Sequence, residues 1–257
     1  MSDILTRVLQ SIQRGLDAGH RVLTVFDLDS TLFDVSPRLE KILLDFAEIP
    51  ENQQRFPEQI PYFKYIRTHR SDWGIRKSLL RAGLAHAEPE FQRAVGDFWR
   101  ERFFSNDYLE FDIPYEGASE YVNQVYKLGT EVVYLTGRDQ HRMGSGSRKV
   151  LQKWNFPLDD KWAHLVLKPQ KEMDDGLFKR DWFLQHPHED SKAVWFFENE
   201  PVNVNLVKKH SPHVEIIFFD STHQGAEDPP EDIPKIMNFL WQVSEKASTP
   251  RSDSGNE

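Results

Sequence analysis

The stretch Val22-Leu23-Thr24-Val25-Phe26-Asp27-Leu28-Asp29-Ser30-Thr31 sets two carboxylates one residue apart at the end of an apolar run. Five mostly apolar, partly β-branched residues without alternation read as a strand buried on both faces, and the aspartates mark where it meets a polar rim. Side-chain alternation along an extended chain sends Asp27 and Asp29 to the same side, into one small volume. Two adjacent carboxylates repel. They coexist where a cation, a proton or a cluster of backbone donors offsets the repulsion, and hard divalent cations prefer oxygen ligands of this kind.

Other short apolar runs also end in polar clusters. Residues 131–135 lead into Thr136-Gly137-Arg138-Asp139, 164–167 into Lys168-Pro169, 193–197 into Glu198-Asn199-Glu200, and Val214–Phe219 into Asp220. Helical patterns lie between them, over 121–128 closed by Gly129, over 147–154 and over Asp175–Gln185. Continuous hydrophobic strands alternating with helices predict an α/β fold, a doubly wound parallel sheet with helices on both faces. Ligands bind such sheets beyond the carboxyl ends of the strands, the edge at which all of these clusters fall.

The remaining segments position that edge. Ile4, Leu5, Val8, Leu9, Ile12 and Leu16 recur at three- and four-residue spacing, predicting an amphipathic helix ended by Gly19. From Asp34 to about Tyr115 the pattern is helical, punctuated by prolines at 37, 50, 57, 61, 89 and 114, and holds no convincing buried strand. The chain therefore divides into a discontinuous core, 1–34 and 116–246, and an inserted helical subdomain, 35–115. Within the insertion, Tyr62, Phe63, Tyr65 and Trp73 accompany Lys64, Arg67, Arg70, Arg76, Lys77 and Arg81 against the single acid Asp72, a local reversal of charge. Residues 231–246 read as a last helix with Ile233, Ile236, Met237, Leu240 and Val243 on one side. The tail, 247–257, has nothing to bury and is expected to be disordered. The Gly144-Ser145-Gly146-Ser147 stretch reads as a flexible loop or an anion-wrapping one.

At 257 residues, with 39% hydrophobic content, 18 Phe and 7 Trp, the chain can fill a sizeable core. A formal charge of −9 argues against a general nucleic-acid or membrane-surface binder. The absence of cysteine removes disulfides, thiolate nucleophiles and thiolate metal ligands. Residues 1–20 carry scattered charges and no signal-peptide core, and no run approaches membrane-spanning length, so a cytoplasmic protein is expected.

Asp27-Leu28-Asp29-Ser30-Thr31 matches the D-x-D-x-T form of the first motif of the haloacid dehalogenase (HAD) superfamily, and Tyr134-Leu135-Thr136-Gly137-Arg138 is similar to its second. With a lysine ahead of Glu198-Asn199, the order of motifs resembles that superfamily over roughly residues 20–34 and 116–222. The resemblance implies a Rossmann-like core bearing, between the first two motifs, a type-1 helical cap that closes over the active site. It further implies a phosphatase in which Asp27 attacks phosphorus and forms an aspartyl-phosphate, while Asp29 serves as general acid and base with a pKa near working pH. Thr136 would hydrogen-bond the phosphoryl oxygens. Gly137 and Arg138 would stand at the substrate, and Arg138 would either touch it or orient a carboxylate. A fixed ammonium is required beside the phosphoryl group. Lys168 and Lys179 compete for that place, with Lys179 favoured and the other expected at the surface. Mg²⁺ would be held by Asp27, the Asp29 carbonyl and Glu198, with Asn199 standing where a second carboxylate is commoner. Glu200 and Asn203 are further candidates, Glu200 as partner of a nearby base.

The expected activity is Mg²⁺-dependent hydrolysis of a small phosphomonoester beneath the cap. A phosphotransferase or mutase would use the same residues, a phospho-accepting receiver module is shorter and lacks an insertion, and a degenerate non-catalytic core would not need Asp27, Asp29 and Thr136 intact. The ester itself and the oligomeric state are not fixed by the sequence.

Overall fold

The computed structural model describes residues 2–84, 86–186 and 191–242. Six parallel strands form one sheet in the order β5-β4-β1-β6-β7-β8. They are β1 (Arg21–Phe26), β4 (Glu131–Asp139), β5 (Ala163–Lys168), β6 (Ser191–Glu198), β7 (Val214–Phe219) and the two-residue β8 (Lys235–Ile236). β1 is central because it can be: Val22, Leu23, Thr24, Val25 and Phe26 are all buried, so neither face needs water. Apolar side chains alternate between two cores. Val22, Phe26, Tyr134 and Phe197 pack on one side of the sheet, and Leu23, Val25, Val133, Leu135 and Phe196 on the other.

Helices α1 (Asp3–Asp17) and α6 (Ala118–Leu128) pack on the first side. α8 (Asp175–Gln185) and α9 (Pro201–His210) contribute Phe183, Val204 and Val207 to the second. After β5 the chain returns across β4 and β1 to place β6, so the strand order reverses beside β1. That reversal opens a crevice at the carboxyl ends of β1 and β6.

The segment between β1 and β4 is helical. It contains α2 (Ser36–Glu48), α3 (Pro50–Arg55), a 3₁₀ turn at Ile60–Tyr65, α4 (Arg76–Arg81), α5 (Pro89–Phe103) and a 3₁₀ turn at Leu109–Phe111. Pro37, Pro50, Pro61 and Pro89 each occupy the first turn of an element, where the missing N–H costs nothing. Four of the six prolines that break the helical periodicity are therefore start signals. This segment has a core of its own, in which Phe46, Phe56, Phe63 and Phe91 stack and meet edge to face with Leu43, Ile66 and Val95 around them. Its two chain crossings pair as a short antiparallel ladder, β2 (Phe33–Asp34) with β3 (Ile113–Pro114).

Two sequence expectations fail. The last helix, predicted over 231–246, is not formed across 231–242. Pro234 breaks the pattern, and the edge of the sheet takes the backbone instead, Phe218 donating to the Pro234 carbonyl and Asp220 to that of Ile236. Ile236 and Phe239 are buried by this route while Met237 is left exposed. Residues 243–246 and the tail expected to be disordered, 247–257, lie outside the described residues. The Gly144-Ser145-Gly146-Ser147 stretch is not a loop but lies within α7 (Gln140–Lys153), which Asp139 caps through the Arg142 amide at 2.9 Å. A Cβ at Gly146 would fall 2.6 Å from the Asn106 carbonyl oxygen, so the glycine lets the end of the helical segment seat on α7.

Candidate active site

The chain leaves β1 in a tight turn organised around one carbonyl: that of Leu28 accepts from the amides of Thr31, Leu32 and Phe33 at 3.3, 3.0 and 2.9 Å. Ser30 adopts φ +61°, a conformation costly for a residue with a Cβ. The Asp27 amide still donates to Phe197 O at 3.0 Å, which keeps the residue tied to β6.

Asp27 is 4% exposed. Lys179 Nζ, from the middle of α8, stands 2.5 Å from Asp27 Oδ1 and 2.6 Å from Glu198 Oε2. All three side chains are buried. Burial raises the Asp27 pKa, the Lys179 ammonium opposes this and Glu198 adds to it, leaving the carboxyl pushed up to about 7. Thr31 Oγ1 lies 3.1 Å from Asp27 Oδ2 and 3.0 Å from Asn199 Oδ1. The hydroxyl has one proton for two acceptors, so one of these oxygens goes without it. Asn199 is held from its other end by donation to the Thr222 carbonyl at 2.7 Å.

Asp29 belongs to a different cluster. Its Oδ1 accepts from Arg38 at 2.5 Å and from Arg138 at 2.7 Å, and its Oδ2 from Arg138 Nε at 3.1 Å. Burial would raise its pKa, but the two guanidiniums outweigh burial and hold the carboxylate well below the usual range. Each aspartate thus has its own cations, while the Asp29 charge still adds to the rise of the Asp27 pKa and Asp27 acts on Arg138 in turn. Asp29 does not have the near-neutral pKa expected of an acid and base.

Arg138 is directed to Asp29 by a β-bulge. Thr136 pairs with Leu167 and Asp139 with Lys168, so Gly137 and Arg138 are extra in β4. Its other contacts are Asp112 at 2.7 Å and Ser147 Oγ at 3.2 Å. Arg138 thus spends four of its five N–H groups on Asp29, Asp112 and Ser147. A Cβ at Gly137 would collide with the Asp175 carboxylate, which would have to move off Lys168 to admit it. Thr136 is fully buried at the end of β4, its hydroxyl accepting from the Arg138 amide at 3.3 Å.

Of the two competing lysines, Lys179 is the one on Asp27. Lys168 is not at the surface either. It is 6% exposed and reaches Asp175 Oδ1 at 2.6 Å and the Met173 carbonyl at 2.8 Å, holding the loop that leads into α8.

The carboxylate of Glu198 is fully engaged. Oε1 accepts from the amides of Asn199 and Glu200 at 3.0 and 2.9 Å, and Oε2 from Lys179 and from Asn203 Nδ2 at 3.2 Å. Glu200 accepts from the Gln224 amide at 3.0 Å; burial raises its pKa, and His223 and Lys179 are near enough to oppose the rise. Among the described residues no group of three or more Asp, Glu or His side chains is arranged to hold a metal ion. Asp27 Oδ2 and Asn199 Oδ1 do converge on the single Thr31 proton. That donor pair fits a largely hydrated Mg²⁺, which needs few protein oxygens; Glu198 fits only if it gives up a donor it already has.

No family model matches the sequence. No curated protein matches it either. The fold does match solved structures. One is a candidate phosphatase from Clostridium difficile, 15% identical, with 78% of this chain and 86% of that one covered and a TM-score of 0.50. Another is a candidate haloacid dehalogenase-like hydrolase from Burkholderia xenovorans, 14% identical, with 86% and 96% covered and a TM-score of 0.50. The chain has the haloacid dehalogenase fold.

Within the haloacid dehalogenase fold, the ends of β1, β4 and β6 supply Asp27, Thr136 and Glu198, and α8 supplies Lys179. Sequence reasoning missed Arg38 and Asp112, both fully buried. Arg38 approaches Asp112 Oδ1 at 2.9 Å as well as Asp29. Neither belongs to a motif. The available signal was an arginine directly after Ser36-Pro37 and an aspartate directly before Ile113-Pro114, charged residues at the two crossings of the insertion. The basic, aromatic run over 62–81 is mostly surface, with Tyr62, Tyr65 and Trp73 about half exposed and Arg81 neutralised by the buried Asp72. Among the described residues no helix is long and apolar enough to cross a membrane.

Proposed function

We propose that the chain is a phosphatase acting on a small phosphomonoester, with Asp27 as nucleophile. The observation that carries this reading is the Lys179 ammonium bridging two buried carboxylates, one of them at the carboxyl end of the central strand. The buried ammonium in contact with Asp27 opposes the rise in pKa that burial imposes on the carboxyl and offsets charge that grows on the phosphoryl oxygens. Glu198 fixes that cation and is in turn fixed by two backbone amides and Asn203.

In the first half of the reaction an Asp27 oxygen bonds to phosphorus and the ester oxygen leaves. In the second a water oxygen attacks the same phosphorus and the Asp27–phosphorus bond breaks, returning the carboxylate. Thr136, at the end of the neighbouring strand, donates a hydrogen bond from its hydroxyl to a phosphoryl oxygen. The leaving oxygen takes its proton from solvent, and Asp29, held as the carboxylate by Arg38 and Arg138, takes the proton from the attacking water in the second half. With three guanidinium N–H groups on it, the carboxylate as described is in the state of the base. Asp27 and Asn199 would hold a hydrated Mg²⁺, whose charge would screen the aspartate from an incoming phosphate. The helical insertion, 35–115, is the cap, and its closure excludes water from the first half.

Hydrolysis of an aryl phosphate with and without Mg²⁺, by the wild type and by Asp27→Asn, tests the reading. The variant is expected to keep its fold and release no phosphate; full activity in it would remove Asp27 from the chemistry. A screen of phosphorylated metabolites then identifies the ester, and added alcohol acceptors reveal any transfer in place of hydrolysis.

A further inference from the structure

Asp29, Arg38, Asp112 and Arg138 form a buried ring whose charges cancel. Two members, Asp29 and Arg138, come from the core loops after β1 and β4. The other two flank the β2–β3 ladder: Arg38 lies in the first turn of α2 and Asp112 immediately precedes β3. Hydrogen bonds make three sides of the ring, and the fourth is a close Arg38–Asp112 ion pair whose Nε and Oδ1 are not aligned for a hydrogen bond. Arg138 engages both oxygens of Asp29 and one of Asp112, and Arg38 meets one oxygen of each.

Arg38 has no freedom to drift. Its third nitrogen donates to the Phe103 carbonyl at 3.0 Å and its guanidinium lies 4.0 Å from the Phe103 ring centre. Asp112 is likewise fixed through its backbone, its carbonyl accepting from the Trp154 indole at 2.9 Å. The Asp29 carboxylate is the least buried member, its side chain 31% exposed, so it is the point at which the ring meets solvent.

Resting on the phosphatase reading, we propose that Arg38 and Asp112 are positioning residues that aim the Asp29 carboxylate at the water hydrolysing phospho-Asp27. The water oxygen bonds to phosphorus, the Asp27 oxygen–phosphorus bond breaks, one water proton passes to Asp29 and then to solvent, and inorganic phosphate leaves. The two crossings of the insertion thereby control the second half of the reaction. The first half, with a leaving group that departs unprotonated, does not need them.

The test is the neutral pair Arg38→Gln/Asp112→Asn, which removes one charge of each sign, assayed with 4-nitrophenyl phosphate by rapid mixing. A nitrophenolate burst close to one per active enzyme is expected, followed by steady turnover slowed on the order of tenfold to a hundredfold, up to the lower end of the range for a lost general base, since the pair misaims the base and does not remove it. Hydroxylamine-sensitive phosphoenzyme should accumulate above the wild-type level. Because burst amplitude counts the folded, competent enzyme, partial misfolding does not imitate this result. In an Asp29→Asn background the same pair should cost no further turnover. Turnover that is unchanged, turnover that falls with no gain in phosphoenzyme, or added loss in the Asp29→Asn background would each overturn the proposal. If Asp27→Asn also turns over, the phosphatase reading itself has failed; if it is inactive and only the pair lacks the burst, the failure belongs to the positioning role alone.

Discussion

Lys179 Nζ lies 2.5 Å from Asp27 Oδ1, in a position it reaches from α8, 152 residues further along the chain. Removing the ammonium leaves Asp27 and Glu198 buried and facing each other without a cation. Lys179→Met should therefore lose about 3–5 kcal/mol in chemical denaturation, the usual cost of breaking a buried pair, together with phosphatase activity. Lys168→Met, which frees only Asp175 and loop carbonyls, should retain most of the activity. Equal loss in the two variants would contradict the assignment.

Asn199 faces Asp27 across the Thr31 hydroxyl and supplies an oxygen without a charge. Asn199→Asp adds a carboxylate where a cation would dock, and charge count is a main determinant of affinity for hard cations. Calorimetric titration should show Mg²⁺ binding tightened by roughly tenfold, about 1.4 kcal/mol. In the absence of the ion the same variant should be less stable than the wild type, since the new carboxylate adjoins Asp27. Unaltered Mg²⁺ affinity would place the ion elsewhere.

Burial raises the Asp112 pKa from 3.8 to about 6, against the pull of Arg38 and Arg138. A raised carboxyl binds more protons folded than unfolded, so its contribution to stability is present below pH 3.8 and is lost as pH climbs toward 6. Asp29, held low, acts in the opposite sense and at more acid pH. The denaturation midpoint should thus fall more steeply from pH 4 to 6 in the wild type than in Asp112→Asn. Parallel slopes would show that Asp112 does not titrate in this window.

Gly146 sits within α7 at the seat of the loop that carries Asn106. Gly146→Ala gains helix propensity, yet the methyl group meets main-chain atoms that cannot yield. A net loss of about 1–3 kcal/mol is expected, as for other overpacked sites. A stabilised variant would mean that the loop is free to move away.

The parts of this molecule that were legible in the sequence are those where local pattern and tertiary role coincide. β1 could be read because both its faces are buried, and Asp27, Thr136 and Glu198 because each ends such a run. Lys179 was ambiguous, since a lysine in a helix carries no mark of what its ammonium reaches. The final helix was misread because apolar spacing at 233, 236, 237 and 240 suits a helix, whereas the unsatisfied edge of β7 decided the backbone. The ring around Asp29 was invisible for a different reason. Arg38 and Asp112 are adjacent only once the insertion has folded and its crossings have paired, and isolated charges in a polar sequence look like solvated surface.

The central claim is that Asp27 becomes covalently esterified to phosphorus. The direct measurement is mass spectrometry of enzyme quenched during turnover of an aryl phosphate, with borohydride trapping of the acyl-phosphate and peptide mapping. The account predicts a modified residue at position 27, lost in Asp27→Asn and enriched in Arg38→Gln/Asp112→Asn. Turnover with no modification at Asp27 in any of these proteins, or modification at another residue, would contradict it.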